Sequence, residues 1–435
     1  MRLKNIVNKN YKKLNYEIRE IVFLAKEVEE LGQKIIWENI GDPVEKGEKV
    51  AEWIKKIVQK SAKENLVYAY STTKGLENIR EFLANLVNKR GKIKISKEEI
   101  IFFNGLGDAI NKIYNCLQKR ARIIMPSPGY PAHFSQEAIH AGKEPIFYAL
   151  DPKNHWYPDL KDLEKKIKAH PEIVGTLIIN PNNPTGVVYP KKYLTEILEL
   201  AEKYKLFIIA DEIYLNLSFA KIKTTPLSDI IGNLPAVSMK GISKEFPWPG
   251  SRCGWLEFYN LDRDKNFKDY FEAIFKGELV EVSATTLPQF VIPEIMTNRK
   301  YKTLLKERVQ NYKKKAEILA ETFKNLKEVI LVKPEAAFYA TIVFKERVLN
   351  KNQKLEIKNK KIKRLIEKKT KRKIPLDRRF AYYLLGATGI CVVPLTGFYS
   401  RYSGFRMTLL EPDLKKFKFI CQTLKEKIKE YVRSN

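Results

Sequence analysis

Lys244 and Arg252 are spaced so that together they could hold a carbonyl cofactor that carries a phosphate. Lys244 follows Ser243, and two prolines and a glycine separate it from Arg252. A lysine amine forms an imine with a carbonyl, and a fixed cation close by can bind a phosphate of the same ligand. The chain has 80 lysines and arginines, so a solvated lysine is the default interpretation. A role for this pair in cofactor binding therefore needs support from the motifs that precede it.

Three upstream segments add polar groups suited to a ligand. Asn180–Gly186 reads Asn-Pro-Asn-Asn-Pro-Thr-Gly after an apolar run, a pattern that packing alone does not explain. Asp211 ends the next run, where a carboxylate is costly unless it meets a cation or a protonated nitrogen. Capping the following turn is its alternative role. Phe103–Asp108 is a glycine-rich turn leading into a helix, which suits an anion, although an ordinary strand-to-helix connection also explains it.

Alternating apolar runs and amphipathic helices predict the frame that positions these groups. From residue 100 onward this alternation indicates a mostly parallel sheet covered by helices on both faces. The runs are Ile100–Phe103, Ala121–Met125, Glu144–Ala149, Ile173–Ile179, Leu206–Ala210 and Ala236–Met239. Ligands of open α/β sheets bind at the carboxyl ends of strands, where Asn104, Asn180, Asp211 and then Lys244 fall.

The two ends of the chain are predicted to form a smaller domain. Apolar periodicity predicts helices over 17–36, Val50–Ser61, Glu77–Val87, 300–327 and Asp413–Val432, with short strands near Ala337–Phe344, Ile390–Val393 and Phe405–Leu410. We expect residues 1–50 to pack with a C-terminal small domain, 311–435, beside a large domain of residues 51–310.

The charge is concentrated in one segment. The chain carries a net +29, and residues 345–379 hold 16 lysines or arginines against 4 acidic residues, without aromatic residues between them. Such a balance suggests nucleic acid or an anionic membrane, but no stacking residues or helix-turn-helix accompany it. We expect residues 345–373 to be a solvated insert whose deletion leaves activity largely intact; a binding surface or a wall of the cleft are its alternative roles. A nucleic acid partner is not expected.

The cysteines and the N-terminus predict the compartment. Cys116, Cys253, Cys391 and Cys421 form no pairing motif and have no histidine at metal-binding spacing, which indicates a reducing compartment and no metal. The N-terminus lacks an apolar signal core, and no run approaches membrane-spanning length. We expect a cytoplasmic protein without membrane contact.

Taken together, the motifs resemble those of the class I and II aminotransferases, fold-type I enzymes that use pyridoxal 5′-phosphate. The similarity lies in Asn180–Gly186, in Asp-Glu-Ile-Tyr at 211–214 and in Ser-Lys followed by an arginine eight residues later, with flanking matches from Gly41 to Arg406. It implies an α/β fold with a large domain, whose mostly parallel sheet is sandwiched by helices, and a smaller α+β domain built from both termini. It also implies transfer of an α-amino group from an amino acid to a 2-oxo acid.

The resemblance gives roles to the residues around the cofactor ring. Lys244 would form the internal aldimine and move the proton at the substrate α-carbon. Asp211 would keep the ring nitrogen protonated, since the ring must act as an electron sink. Asn183 and Tyr214 would hydrogen-bond the ring oxygen, and Tyr130 would stack on the ring.

The resemblance also implies which groups would bind the cofactor phosphate. Ser243, Arg252, the amides of Leu106 and Gly107, and Tyr70 would bind it. In the family the tyrosine comes from the neighbouring subunit, so a homodimer with shared active sites is implied.

The substrate α-carboxylate would lie against Arg406, Asn183 and the backbone of Gly41. The sequence departs from the family pattern at Gly241, where a phosphate-binding serine is common, and at Ala336, which is usually glycine. The resemblance further implies that the Ser127–Pro128 and Asn183–Pro184 bonds are cis.

Other functions stay open at this point. C–S β-elimination could use the same lysine and aspartate. A basic nucleic-acid-binding or regulatory protein on a non-catalytic fold of this type is a different class, although intact Lys244, Asp211 and Arg252 argue against it. The substrate side chain is not assigned: no further cation is placed to bind a distal carboxylate. Aromatic residues that would suit a neutral or aromatic substrate are Trp248, Tyr130, Phe398 and Tyr399.

Overall fold

The computed structural model describes residues 6–7, 9–13 and 17–434. Its helices are α1 Glu17–Glu30, α2 Glu52–Ser61, α3 Glu77–Asn88, α4 Leu106–Asn115, α5 Pro131–Ala141, α6 Leu160–Ala169, α7 Lys191–Lys203, α8 Lys265–Glu281, α9 Thr286–Phe290, α10 Ile292–Thr297, α11 Tyr301–Phe323, α12 Lys360–Thr370, α13 Leu376–Thr388 and α14 Leu414–Arg433. Its strands are β1 Ile36–Trp37, β2 Ile100–Phe103, β3 Arg122–Ser127, β4 Ile146–Asp151, β5 Tyr157–Pro158, β6 Ile173–Ile179, β7 Phe207–Asp211, β8 Ala236–Gly241, β9 Gly254–Tyr259, β10 Val329–Leu331, β11 Tyr339–Phe344, β12 Ile390–Cys391, β13 Val393–Pro394 and β14 Gly404–Thr408. Among the described residues, none of these helices combines the length and the apolar character needed to cross a bilayer.

An eight-stranded sheet organises the large part of the fold, in the order β2-β9-β8-β7-β6-β3-β4-β5. The neighbours from β8 through β7, β6 and β3 to β4 are parallel, whereas β9 is antiparallel to both of its neighbours and β5 is antiparallel to β4. Successive side chains of β2 enter two different hydrophobic clusters, one on each face of the sheet. Both faces are therefore covered, which confirms the predicted α/β architecture with a mostly parallel sheet.

A second sheet lies in the C-terminal part, in the order β10-β11-β14-β13, with all neighbours antiparallel. The N-terminal part joins this region, because β1 pairs in parallel with β12 and α1 contacts β12 and β13. Helix α11 runs through the domain boundary expected at residue 310. The boundaries at residues 50 and 310 stay predictions.

The helix predicted over residues 17–36 is too long. Helix α1 ends at Glu30, the chain turns at Gly32 with φ +94°, and residues 36–37 form β1. A positive φ suits glycine and breaks a helix, whereas the apolar pattern continues through the turn and conceals it. Helices α5 and α8 and the antiparallel strand β9 were not identified from the sequence.

The segment 345–373 is not the solvated insert that its charge suggested. Leu355, Ile357, Ile362 and Ile366 are buried, the last two completely. At Gly386 of α13 an added Cβ would lie 2.8 Å from Cγ1 of Ile366, which belongs to α12, and 2.8 Å from Cδ1 of Ile357, which precedes α12. Helix α13 therefore packs closely against the segment. The lysines are solvated, but the segment supplies apolar side chains to the core of the C-terminal part. The interpretation of the segment as a solvated insert is therefore wrong, and the deletion predicted from it loses its physical basis.

Candidate active site

A cleft of about 600 Å³ contains nearly all of the residues that the sequence assigned to a site. Every one of them except Tyr70 lines it: Gly41, Leu106, Gly107, Tyr130, Asn183, Asp211, Tyr214, Ser243, Lys244, Arg252 and Arg406. Asp211 is the last residue of β7, and Lys244 follows β8, so the cleft lies at the carboxyl ends of parallel strands as predicted.

Lys244 carries an amine that can lose its proton near neutral pH. Its Nζ donates to the carbonyl oxygen of Gly41 at 2.8 Å. Burial lowers the pKa of Lys244 to about 8; the negative charge of Asp42 opposes this shift, and the positive charges of Arg406 and Arg252 add to it. Only the neutral amine is a nucleophile, so this environment favours imine formation.

Arg308 of α11 fixes the main chain that presents Lys244. Its Nη1 donates to the carbonyl oxygens of Lys244 at 2.9 Å and Glu245 at 2.5 Å. The same guanidinium pairs with Glu48 and with the hydroxyl of Tyr312. A buried arginine held on several sides orients this backbone rigidly, and no local sequence motif marks it.

Asp211 is 5% exposed and is held from two directions. Its Oδ1 accepts a hydrogen bond from the backbone N–H of Ile213 at 3.2 Å, which is the turn cap considered as an alternative. Its Oδ2 lies 3.4 Å from Nε2 of the fully buried His133, whose Nδ1 lies 3.1 Å from the hydroxyl of Tyr114. No sequence motif marks His133, although it follows Tyr130 by three residues at the start of α5.

Arg252 lies against the glycine turn that starts α4. Gly105 has φ +84°, and a Cβ there would come within 2.5 Å of Arg252 Nη2. The guanidinium donates to the carbonyl oxygens of Asn104 and Pro249, each at 3.3 Å. Since α4 begins at Leu106, the cation faces the positive end of a helix. A cation, a glycine turn and a helix N-terminus together fit a phosphate.

Arg406 forms the other end of the cleft. Its Nη1 donates to Asn183 Oδ1 at 3.2 Å and its Nη2 to the carbonyl oxygen of Asn39 at 2.5 Å. The guanidinium carbon lies 4.4 Å from the ring centre of Tyr339 and 4.9 Å from that of Phe398. Two rings thus hold the planar group in place, as binding of a carboxylate requires.

Tyr339 also connects Tyr214 to Gly41. The hydroxyls of Tyr339 and Tyr214 are 3.1 Å apart, and a Cβ on Gly41 would lie 2.0 Å from the Tyr339 hydroxyl. Only glycine fits at position 41. The bonds Ser127–Pro128 and Asn183–Pro184 are cis, which confirms that prediction, and Asn180–Pro181 is cis as well.

Two groups of candidate residues lie outside the cleft. Tyr70 is 84% exposed and does not line the cleft of its own chain. Of the aromatic residues considered for a substrate pocket, Trp248, Phe398 and Tyr399 do not line it either; Tyr399 packs against Phe134. Tyr130 alone of the four lines the cleft, so an aromatic substrate pocket is not formed by this set.

Comparison with known proteins gives one consistent result. The profile of aminotransferase class I and II matches residues 34–421. An uncharacterized aminotransferase of Methanocaldococcus jannaschii is 53% identical over 429 residues, which is 99% of each chain. The glutamate-pyruvate aminotransferase AlaA of Escherichia coli is 32% identical over 261 residues, 60% of this chain and 63% of that protein, so this chain spans under two thirds of its length.

Solved structures agree in fold. The crystal structure of an aminotransferase from Escherichia coli superimposes with a TM-score of 0.84 at 23% identity and covers 100% of both chains. An alanine aminotransferase from Pyrococcus furiosus gives a TM-score of 0.83 at 25% identity, with 98% of this chain and 100% of that chain covered.

Proposed function

Because this chain belongs to the class I and II aminotransferase family and is an aminotransferase, we propose that its cleft binds pyridoxal 5′-phosphate and uses it to move an α-amino group between an amino acid and a 2-oxo acid. One observation carries the proposal. The low-pKa amine of Lys244 shares a single cleft with buried Asp211, with Arg252 at a helix N-terminus and with Arg406 between two rings.

The residues that would hold the cofactor divide by its parts. Arg252, Ser243 and the N–H groups of Leu106 and Gly107 would bind the phosphate. Asn183 and Tyr214 would face the ring oxygen, Tyr130 would stack on the ring, and Asp211, supported by His133, would keep the proton on the ring nitrogen. When bound, pyridoxal 5′-phosphate supplies a carbonyl for the amine and a ring that accepts the electron pair left at the substrate α-carbon.

The remaining residues act on the substrate. Arg406 and Asn183 would orient the α-carboxylate, with Gly41 leaving room beside Tyr339. Lys244 Nζ would take the proton from the α-carbon and return it elsewhere as general base and acid. A pKa near operating pH suits both directions of this transfer.

The names of the relatives suggest which substrates to test first. Two of the similar proteins are a glutamate-pyruvate aminotransferase and an alanine aminotransferase, which supports L-alanine and L-glutamate with their 2-oxo acids. The cytoplasmic location predicted from the sequence stays a prediction.

The test is a substrate panel with a lysine variant. The wild-type protein should transfer amino groups from L-alanine or L-glutamate to a 2-oxo acid, and borohydride should fix the cofactor on Lys244. Lys244→Ala should lose this activity, whereas Lys221→Ala, at an exposed lysine outside the cleft, should keep it. Release of a thiol, pyruvate and ammonia from an S-substituted cysteine such as L-cystathionine, without a 2-oxo acid acceptor, would favour C–S β-elimination. Full activity of Lys244→Ala would refute the proposal.

We also propose a homodimer in which Tyr70 completes the phosphate site of the partner subunit. Tyr70 is exposed outside the cleft of its own chain, and Leu66 and Tyr68 beside it are exposed as well. Thr286 Oγ1 donates to the Ala69 carbonyl oxygen at 2.7 Å and so joins this segment to the start of α9. Val280, near the end of α8, adds further exposed apolar surface. Obligate interfaces are apolar and bury on the order of 2,000 Å² or more.

Complementation tests the shared site. Tyr70→Ala and Lys244→Ala chains are mixed under conditions that exchange subunits. Each mixed dimer has one native site, so random pairing should restore about a quarter of all sites. A mixture no more active than Tyr70→Ala alone would refute the crossing.

A further inference from the structure

A largely buried lysine that precedes Lys244 in the chain has no part in the reaction described so far. Lys240 lies in β8, and its Nζ is 3.3 Å from Oε2 of Glu212 and 3.4 Å from Oε2 of Glu257. The exposed fractions of the three side chains are 12%, 4% and 3%. Taking charged groups out of water costs free energy that their mutual attraction often does not recover. The cluster is therefore weak evidence for stability and a candidate for another role.

The two carboxylates of the cluster are also held by other donors. Glu212 accepts a hydrogen bond from a backbone N–H at 2.7 Å and one from Ser238 Oγ at 2.6 Å. Glu257 accepts hydrogen bonds from two aromatic side chains, at 3.0 Å and 2.6 Å. In the described part of the chain, Lys240 is the only cation within ion-pair distance of either carboxylate. It therefore joins two acceptors whose positions are already fixed.

Lys240 and Lys244 carry different charges near neutral pH. Burial acts to lower the pKa of Lys240, but the negative charges of Glu257 and Glu212 outweigh burial and raise this pKa above the ordinary lysine value. The pKa of Lys244, in contrast, is lowered to about 8. Lys240 thus keeps its proton where Lys244 can lose one, so it acts as a fixed cation and not as a second nucleophile.

The cluster lies directly behind the wall of the cleft. A second cavity, of about 340 Å³, is lined by Lys240 and by both of its partners. Asp211 lines the cleft, whereas Glu212, the next residue, lines the second cavity. In the same way Lys244 lines the cleft and Glu245 lines the second cavity. The two main-chain segments that carry the reacting groups therefore have the cleft on one side and the cluster on the other.

Lys240 also connects the strands from which the two reacting groups extend. Glu212 directly follows Asp211, the last residue of β7. Lys240 lies in β8, which is between β7 and β9 in the sheet, and Glu257 lies in β9. The two ion pairs thus join three neighbouring strands close to the edge where Asp211 and Lys244 leave the sheet.

The segment that presents Lys244 is held at both ends. Lys240 anchors its start, and Arg308 donates to the backbone carbonyl oxygen of Lys244 at 2.9 Å. Between these anchors the chain has little room, because a Cβ on Gly241 would lie 2.9 Å from a backbone carbonyl oxygen just before β9. A short segment that is fixed at both ends keeps the lysine amine at one position relative to Asp211.

We propose that Lys240 is a positioning residue, whose two ion pairs fix Asp211 and Lys244 relative to each other. This inference rests on the proposed function, because it takes these two residues as the groups that act on the ring nitrogen and on the substrate α-carbon. A displacement of about 1 Å at reacting groups can lower a rate by about 100-fold. Without Lys240, two buried carboxylates would face one cavity without a cation, and Glu212 cannot move away without moving its neighbour Asp211.

Four variants separate positioning from charge and from stability. Lys240→Met removes both ion pairs, and Lys240→Arg keeps a cation in their place. The double variant Lys240→Met/Glu257→Gln has no ion pair but keeps the net charge of the cluster, since one cation and two carboxylates (+1 − 2 = −1) become one carboxylate (−1). Ile197→Ala removes a fully buried side chain of α7 outside both cavities and is the control for lost stability.

Holoenzyme kinetics with the amino donor that the substrate panel identifies give the first readout. Lys240→Met and the double variant should lower kcat by about 10- to 100-fold, because α-proton transfer depends on the placement of Lys244. KM for the amino donor should stay within about twofold, because the cluster does not hold Arg406 or Asn183. Lys240→Arg should recover most of kcat, and Ile197→Ala should keep both values.

The pKa of Lys244 in the apoprotein gives a second readout, which needs no activity. Labelling with acetic anhydride at a series of pH values, followed by mass spectrometry of the Lys244 peptide, measures it. The wild type, Lys240→Arg and Ile197→Ala should give a midpoint near 8. Lys240→Met and the double variant should shift it upward toward 10.5, because a loosened segment admits water to the amine. The charged groups whose fields act on this amine are unchanged in every variant: Asp42, Asp211, Arg252 and Arg406.

Two results would overturn the inference. Unchanged kcat and an unchanged Lys244 midpoint in Lys240→Met, with lower stability in urea, would show that Lys240 only stabilises the fold. A double variant that behaves like the wild type would show that the charge of the cluster matters and its ion pairs do not. If Lys240→Met does not fold, the double variant, which has no unbalanced charge, carries the same comparison. If the wild type converts no amino acid, the proposed function fails, and the labelling still tests Lys240.

Discussion

Gly105→Ala should lower both the folding free energy and the affinity for the cofactor, and the two losses should have different causes. Gly105 has φ +84° and ψ +164°, a region that residues with a Cβ almost never occupy. The added methyl group would also fall 2.5 Å from Arg252 Nη2. The backbone strain is present with or without cofactor, whereas the displaced guanidinium matters only when a phosphate is bound.

The magnitudes follow from these two effects. A residue forced into this backbone region costs about 1–3 kcal/mol of folding free energy. Arg252 can rotate aside cheaply because its far end is flexible, but it then leaves the phosphate. Loss of a hydrogen bond to a charged group costs about 1.5–3 kcal/mol, which weakens cofactor binding by about 10- to 100-fold.

Titration of the apoprotein with pyridoxal 5′-phosphate measures the second effect, and urea denaturation of the apoprotein measures the first. Gly232→Ala is the matched control, because Gly232 has φ +59° and open space around the added Cβ. It should lose stability and keep wild-type cofactor affinity. Wild-type affinity in Gly105→Ala would refute the assignment of Arg252 to the phosphate.

Two further predictions concern buried charges. The rate of cofactor uptake should rise with pH with a midpoint near 8, because burial lowers the pKa of Lys244 to about 8 and only the neutral amine reacts. Stopped-flow absorbance measures this rate, and a midpoint close to the ordinary lysine pKa of 10.5 would contradict the prediction. Arg122→Met should lower the free energy of unfolding by about 3–5 kcal/mol, because it leaves buried Glu137, which accepts from Arg122 Nε at 2.5 Å and Nη2 at 3.1 Å, without its cation. The double variant with Glu137→Met should recover most of that loss in urea denaturation, and an unaltered Arg122→Met midpoint would show that the pair contributes little.

The parts of the site that the sequence predicted share one property. Asn183, Asp211, Lys244 and Arg252 lie in contiguous motifs that follow strands of one sheet, so local sequence and the geometry of parallel strands suffice to place them together. Arg406 came from a family resemblance rather than from such a motif. The fold class was also predictable from local sequence, because short apolar runs that alternate with amphipathic helices indicate a sheet buried on both faces.

What the sequence did not predict comes from contacts between distant elements. His133 contacts Asp211, and Arg308 holds the backbone of Lys244, only after α5 and α11 have packed against the sheet. Tyr339 reaches the cleft from β11, a strand of the second sheet. No spacing in the sequence encodes such distances, and an isolated arginine among 80 lysines and arginines carries no signal of its own.

The basic segment shows how charge can conceal packing. Its excess of lysines dominated the interpretation, although Ile362 and Ile366 lie four residues apart, the spacing that places both on one face of a helix. Helix α12 buries both side chains completely and leaves Lys361, Lys363 and Lys368 exposed. Stability of this region should therefore depend on the isoleucines and be insensitive to the lysines.

Each of Ile362→Ala and Ile366→Ala should lower the free energy of unfolding by about 2–5 kcal/mol, because each removes a buried side chain and leaves a cavity. Exposed Lys361→Gln and Lys363→Gln should each stay within about 0.5 kcal/mol of the wild type. Urea denaturation followed by circular dichroism compares the four proteins. Removal of residues 345–373 should abolish activity through loss of the packing around α13 and the neighbouring sheet, in which β14 carries Arg406. Isoleucine variants as stable as the wild type, or an active deletion protein, would restore the interpretation of this segment as a solvated insert.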